Sequence, residues 1–195
     1  MNRADAVNEL KRIFTVLAND LESALELGRA DPSQFVHRTL FRTYFAYVEG
    51  VAFQLRQVTL ASLQGTDLLT SAELALLREE RFQLNSKGIP EAKENYQQVL
   101  PNLLFSLRCY VKNHGAAYLP DTGHHGWESM RKAVAVRDRL MHPRSTGGLE
   151  ITEEDIQYFV AGAAWWKRTL LEMFAACGEA DDFFRKQLQA ESNEA

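Results

Sequence analysis

The residues of this chain best suited to chemistry stand at the end of one helix. Between Gly126 and Pro143 the apolar residues Trp127, Met130, Val134 and Met141 recur at helical spacing, and Arg137 falls on the same stripe, where an arginine is unusual. Arg139 and His142 follow, so the helix carries two guanidinium groups and an imidazole to its own last turn. Arginine offers a planar, permanently charged fork for phosphate oxygens, and the ordinary pKa of histidine suits proton transfer near neutral pH. Those are the two requirements for opening a phosphodiester without a metal. Pro143 disfavours helical geometry at His142, so the helix is expected to end there. On a regular helix, residues five apart point roughly 140° away from each other. One such helix makes a poor cleft, so a second copy of the chain is expected opposite it.

Four residues separate Arg137 from His142. The segment closely resembles the signature of the HEPN superfamily, in which an Arg, a short spacer and a His lie near the end of a bundle helix. Gly126 and Trp127 opening the helix, Pro143 after the His, and a capped aromatic helix after a short Gly-rich loop resemble prokaryotic members. Glu49 on a long second helix fits as well. The chain departs from many members in carrying Asp138 where they have Asn. The resemblance implies a metal-independent endoribonuclease of the toxin or defence type that needs no cofactor. His142 would be general base or acid and Arg137 would hold the scissile phosphate, with Asp138, Arg139 and Glu49 supporting. It also implies RNA as partner, a homodimer with two copies of the segment face to face, and a possible nucleotidyltransferase-like antitoxin. The alternative is a catalytically silent bundle of the same family that binds RNA or a nucleotide, or serves as a dimerising module.

Other residues invite weaker readings. Arg108 and His114 also satisfy the bare spacing, but lack the Trp-led helix and the following Pro, and read as a solvated helix end. His124 and His125 are neighbours that point different ways, with no cysteine or carboxylate cluster to complete a metal site. Cys109 and Cys177 lie in apolar helical contexts and read as buried free thiols. Of Trp165 and Trp166, one is expected in the core and the other at an interface or surface. Arg38, Arg42 and Glu49 share one helical spacing and form either a buried polar network near the active segment or an exposed ion-pair face.

The elements that must position these groups are helices. Asn2 to Leu27 has an amphipathic repeat closed by Gly28 as C-cap, and Asp31 with Pro32 is expected to open a long, aromatic second helix whose inner side includes Phe35, Tyr44 and Val51. Thr70 with Glu73 has capping-box spacing before a short third helix. Ser86, Gly88 and Pro90 mark a turn, the run Glu91 to Gln98 reads as helix or loop, and a helix from Val99 through Val111 follows. Thr152 with Asp155 caps the last major helix, on whose apolar face Ile156, Phe159, Val160 and Trp166 fall, and Gly178 closes it. No strand pair alternates convincingly. The expected fold is all-α, an up-and-down bundle of about five or six helices over residues 2–178, with 179–195 a short charged helix and tail.

Composition sets the outer bounds. The chain has 195 residues, enough for one domain with a real core, and its 46% hydrophobic and 25% charged residues are those of a globular protein. Its first residues lack the apolar core of a signal peptide and no stretch has the uncharged length of a membrane span, so no membrane partner and a cytoplasmic location are expected. A net charge of −4 gives no bulk attraction for a polyanion, so any nucleic-acid contact must be local.

Overall fold

The computed structural model of the protein describes residues 2–63, 68–95 and 97–178, and the segment 179–195, expected as a charged helix and tail, lies outside them. The fold is an all-α bundle. In chain order the elements are α1 (Arg3–Ala30), α2 (Gln34–Ser62), α3 (Ser71–Leu77), β1 (Glu80–Leu84), β2 (Pro90–Glu94), α4 (Val99–Asn113), α5 (His125–Met141) and α6 (Glu153–Cys177), with a 3-10 turn at Gly147–Leu149 before α6. α1 packs along α2, α5 along α6, and α4 joins the pairs through contacts with α2 and α6. None of the described helices is long and apolar enough to cross a membrane.

Local chemistry explains most helix boundaries. Thr70 with Glu73, and Thr152 with Asp155, form reciprocal capping boxes at α3 and α6. α5 ends at Met141 with His142 as its C-cap, as the following proline requires. Two caps differ from expectation. α1 runs through Gly28 to Ala30 and is capped by Asp31, and α2 begins after Ser33, whose hydroxyl accepts from the Val36 N–H. Asp31 serves that same turn, since its carboxylate accepts from the Ser33 N–H and hydroxyl. A continuing helix supplies its own carbonyl partners, so Gly28 has no need of a left-handed conformation.

The start of the run Glu91 to Gln98, read as helix or loop, falls in β2, which with β1 makes the one two-stranded sheet among the described residues. β1 and β2 are antiparallel, with Phe82 opposite Ala92 and Leu84 opposite Pro90. Asn85 closes the loop, its side-chain oxygen accepting from the Lys87 and Ile89 N–H groups while Gly88 takes φ +74°.

The core is aromatic. Trp165 and Trp166 are both buried, a correction to the division expected between core and surface. Trp165 Nε1 donates to the Asp121 carbonyl at 2.8 Å and so ties down the loop that leads into α5. Phe35 and Val160, expected to face inward, are 66% and 59% exposed. α5 and α6 approach closely through two glycines. A Cβ on Gly162 would lie 3.0 Å from the Met130 Cα, and one on Gly126 would lie 2.7 Å from the Trp165 Cβ. This contact fixes the rigid end of α5, and its other end carries the polar cluster.

Candidate active site

Glu49 on α2 and Arg137 on α5 meet across 88 positions of sequence. Arg137 Nη2 donates to both carboxylate oxygens of Glu49, at 2.8 and 3.1 Å, and Nη1 donates to Asp138 Oδ1 at 3.0 Å. Both terminal nitrogens are thus committed, and the side chain is only 21% exposed. Burial raises the Glu49 carboxyl above its ordinary pKa, and Arg137 opposes that rise without cancelling it. Asp138 pairs with Arg137 and not with Arg139. It therefore orients the arginine and, with Glu49, surrounds it with two carboxylates.

His142 is exposed at the C-cap of α5. Its φ of −129° and ψ of 63° take it out of the helix, and its backbone N–H donates to the Asp138 carbonyl at 3.0 Å. No side-chain hydrogen bond holds its ring among the described residues. Arg139, read as a supporting residue, is bonded to the loop that follows and to α6. Its Nη1 donates to the Gly148 and Glu150 carbonyls and its Nη2 to Asp155 Oδ2 at 2.5 Å, so it clamps the loop after His142 onto the first turn of α6.

That loop is pinned from α2 as well. Gln34 exchanges two hydrogen bonds with the Ile151 backbone, each 2.8 Å, and Arg38 donates to the Leu149 carbonyl at 3.2 Å. Arg42 reaches the Leu140 carbonyl at 3.5 Å, where a cation suits the negative end of the α5 dipole. Arg38, Arg42 and Glu49 each reach a different partner on or just after α5, with Arg42 exposed and Arg38 and Glu49 partly buried, so they form neither a buried network nor an ion-pair face among themselves. Around the end of α5 the fold gathers Arg38, Arg42, Arg137 and Arg139 on a chain whose net charge is negative.

Compared with protein-family models, with curated proteins and with solved structures, the chain finds no match in any of the three. Its chemistry is therefore argued from its own residues.

The weaker candidates resolve into structural roles. Arg108 is exposed, while His114 packs its ring on Tyr110 with centroids 4.3 Å apart and sets Nδ1 2.8 Å from the Tyr110 carbonyl. Burial lowers the His114 pKa, so this is no solvated helix end. His124 is the N-cap of α5, its Nδ1 accepting from the Gly126 N–H. Cys109 is buried, with its thiol pushed up to about 11 chiefly by desolvation, and Cys177 is half-buried. Met130 and Val134, expected as interface or core, lie in the core, and Met141 is 49% exposed.

One polar centre was not anticipated. Arg56 on α2 is buried, with Nη2 donating to Glu79 Oε1 at 2.9 Å. Its signal lay in the sequence: an arginine on the inner stripe of α2, among Ala52, Leu55 and Thr59, the same anomaly that marks Arg137 on α5.

Proposed function

We propose that the protein is a metal-independent endoribonuclease of the HEPN toxin or defence type, acting as a homodimer. One observation carries this. At the exposed end of α5, Arg137 is oriented by donating Nη2 to both carboxylate oxygens of Glu49, while His142 at the C-cap has no side-chain hydrogen bond among the described residues. The ribose 2′-hydroxyl attacks the neighbouring phosphorus as a base takes its proton. The bond from phosphorus to the 5′-oxygen breaks and that oxygen accepts a proton from an acid, leaving a cyclic phosphate and a free 5′-hydroxyl. His142 of one protomer serves as base and the same residue of the second copy as acid, and Arg137 stabilises the charge that develops on the phosphoryl oxygens. Arg38 and Arg42 add local positive charge, which suits a polyanion on an otherwise acidic chain.

A second reading draws on the two carboxylates at Arg137, which a phosphate must displace. In it the bundle is catalytically silent and binds RNA or a nucleotide, or dimerises for a partner such as a nucleotidyltransferase-like antitoxin. The two are separated by incubating purified protein with RNA in excess chelator and analysing the new ends. Cyclic phosphate and 5′-hydroxyl ends are expected; binding without cleavage would favour the silent bundle. Light scattering should give a dimer, and a monomer at working concentration would defeat the paired site.

A further inference from the structure

We propose that the cleft between α2 and α4, which Glu49 also lines, is a binding site for a guanine base. The cleft has a volume of about 290 Å³, and its polar wall is made by Glu49, Arg56, Glu79, Gln97 and Asn102. That is close to the ~300 Å³ at the lower end of small-molecule pockets. Its apolar sides come from Phe53 on α2 and from Val99 and Leu103 on α4.

Arg56 is only 2% exposed, yet among the described residues its Nε and Nη1 have no hydrogen-bond partner, and the buried Oδ1 of Asn102, which also lines the cleft, has none either. A native fold rarely leaves two donors on a buried cation and a buried acceptor of the same cleft unmet, because each loses its water without replacement. Glu79 reinforces the impression of a built site. It sits at φ +57°, a left-handed conformation unusual for a side chain larger than glycine, held by its N–H to the Leu76 carbonyl and by the Asn95 N–H to its own carbonyl. That strained turn aims its carboxylate at Arg56 and leaves Oε2 without a hydrogen bond among the described residues.

The balance of groups selects the ligand. An anion would meet two carboxylates against one guanidinium, and an apolar ligand would leave Arg56 unmet. A flat neutral group with acceptors on one edge and donors on another satisfies both. Guanine presents O6 and N7 to an arginine and its N1–H and amino group to a carboxylate. The Phe53 ring, 40% exposed and with the Arg56 guanidinium 5.3 Å from its centroid, provides the stacking face. Since Glu49 belongs to both this cleft and the Arg137 pair, a base held here would lie beside the phosphate site. The assignment thus builds on the RNA reading for where the base comes from.

The test is calorimetric titration of the purified protein with GMP, IMP, AMP and UMP. GMP is expected to bind saturably and about tenfold more tightly than IMP, which lacks the amino group, with AMP and UMP weaker still. Phe53→Ala, at an exposed ring whose loss leaves the helical circular dichroism unchanged, should weaken GMP about tenfold. Arg56→Lys should abolish the preference for GMP over AMP. An uncleavable 2′-deoxy tetranucleotide with a single G that displaces GMP supports a strand as the source. GMP binding without displacement supports a free guanine nucleotide. Absence of saturable binding, equal affinity for GMP and UMP, or undiminished binding by folded Phe53→Ala would overturn the site. A mononucleotide has no internucleotide bond to cut, so a failed cleavage assay would defeat the ribonuclease and leave this titration untouched.

Discussion

Two arginine–glutamate pairs tie α2 to its surroundings, and they are satisfied to opposite degrees. Arg137 is 21% exposed and has both terminal nitrogens bonded, to Glu49 and to Asp138. The Arg56 side chain is 3% exposed, deeper in the protein, yet among the described residues only one of its nitrogens is bonded, to Glu79. Burial alone would predict the reverse, because an unmet donor is more costly the further it lies from water. The shallow pair is oriented and complete; the deep pair is incomplete. Orientation suits a group that must stabilise charge appearing during a reaction. Unmet donors suit a group that waits for a ligand.

The largest effects are expected at the shallow site. His142→Ala removes proton transfer, worth typically 10²- to 10⁴-fold for one positioned acid or base, while leaving affinity for RNA nearly unchanged. Ala variants of Arg108 and His114 should cleave nearly as wild type. If the two pairs prove equally essential in a fluorogenic RNA assay, the distinction between a functional and an incidental Arg–His spacing is lost. Arg137→Lys keeps the charge and loses the fork, and a charge-assisted hydrogen bond of about 1.5–3 kcal/mol implies a fall in turnover of roughly 10- to 100-fold. Unchanged turnover would mean that the bonds Arg137 donates to Glu49 do not serve catalysis.

The deep pair should dominate stability. Glu79→Ala strands the buried Arg56 charge and is expected to lower stability by roughly 3 kcal/mol or more in urea unfolding. Arg56→Met leaves a carboxylate that is 45% exposed and can be hydrated, so it should be neutral or stabilising. Equal losses from the two substitutions would mean that the unmet donors are not strained.

The smallest effect is on pH dependence. In the folded protein Glu49 takes up a proton at a higher pH than an ordinary carboxylate, so its contribution to stability grows as pH falls through the raised folded pKa and is lost as pH rises through it. The stability of wild type relative to Glu49→Gln should therefore decline with rising pH and level off above that pKa. The same proton neutralises the partner of Arg137, which places an acid limb of the pH–rate profile above the ordinary pKa of a glutamate. An unmoved limb in Glu49→Gln would remove Glu49 from the positioning of Arg137.

The sequence by itself determined the helices and where most of them stop. Capping boxes such as Thr70 with Glu73 and Thr152 with Asp155 act within one turn, Pro143 acts on the residue before it, and the apolar repeats show which stripe is buried. It also marked Arg137 and His142, because a charge on an apolar stripe and an imidazole before a proline are local features. The hairpin escaped it. Phe82 and Leu84 are 64% and 69% exposed, so no buried face imposes an alternation, and the strands hold mainly through their backbone ladder. Tertiary structure alone decided the partners of the charges. Glu49 reaches Arg137 across 88 positions, Arg56 reaches Glu79 across 23, and Arg139 turns to Asp155, 16 positions on, although Asp138 is its neighbour in sequence. An ion pair depends on distance in space and on the water excluded around it. Neither quantity exists until helices far apart in the chain are packed together.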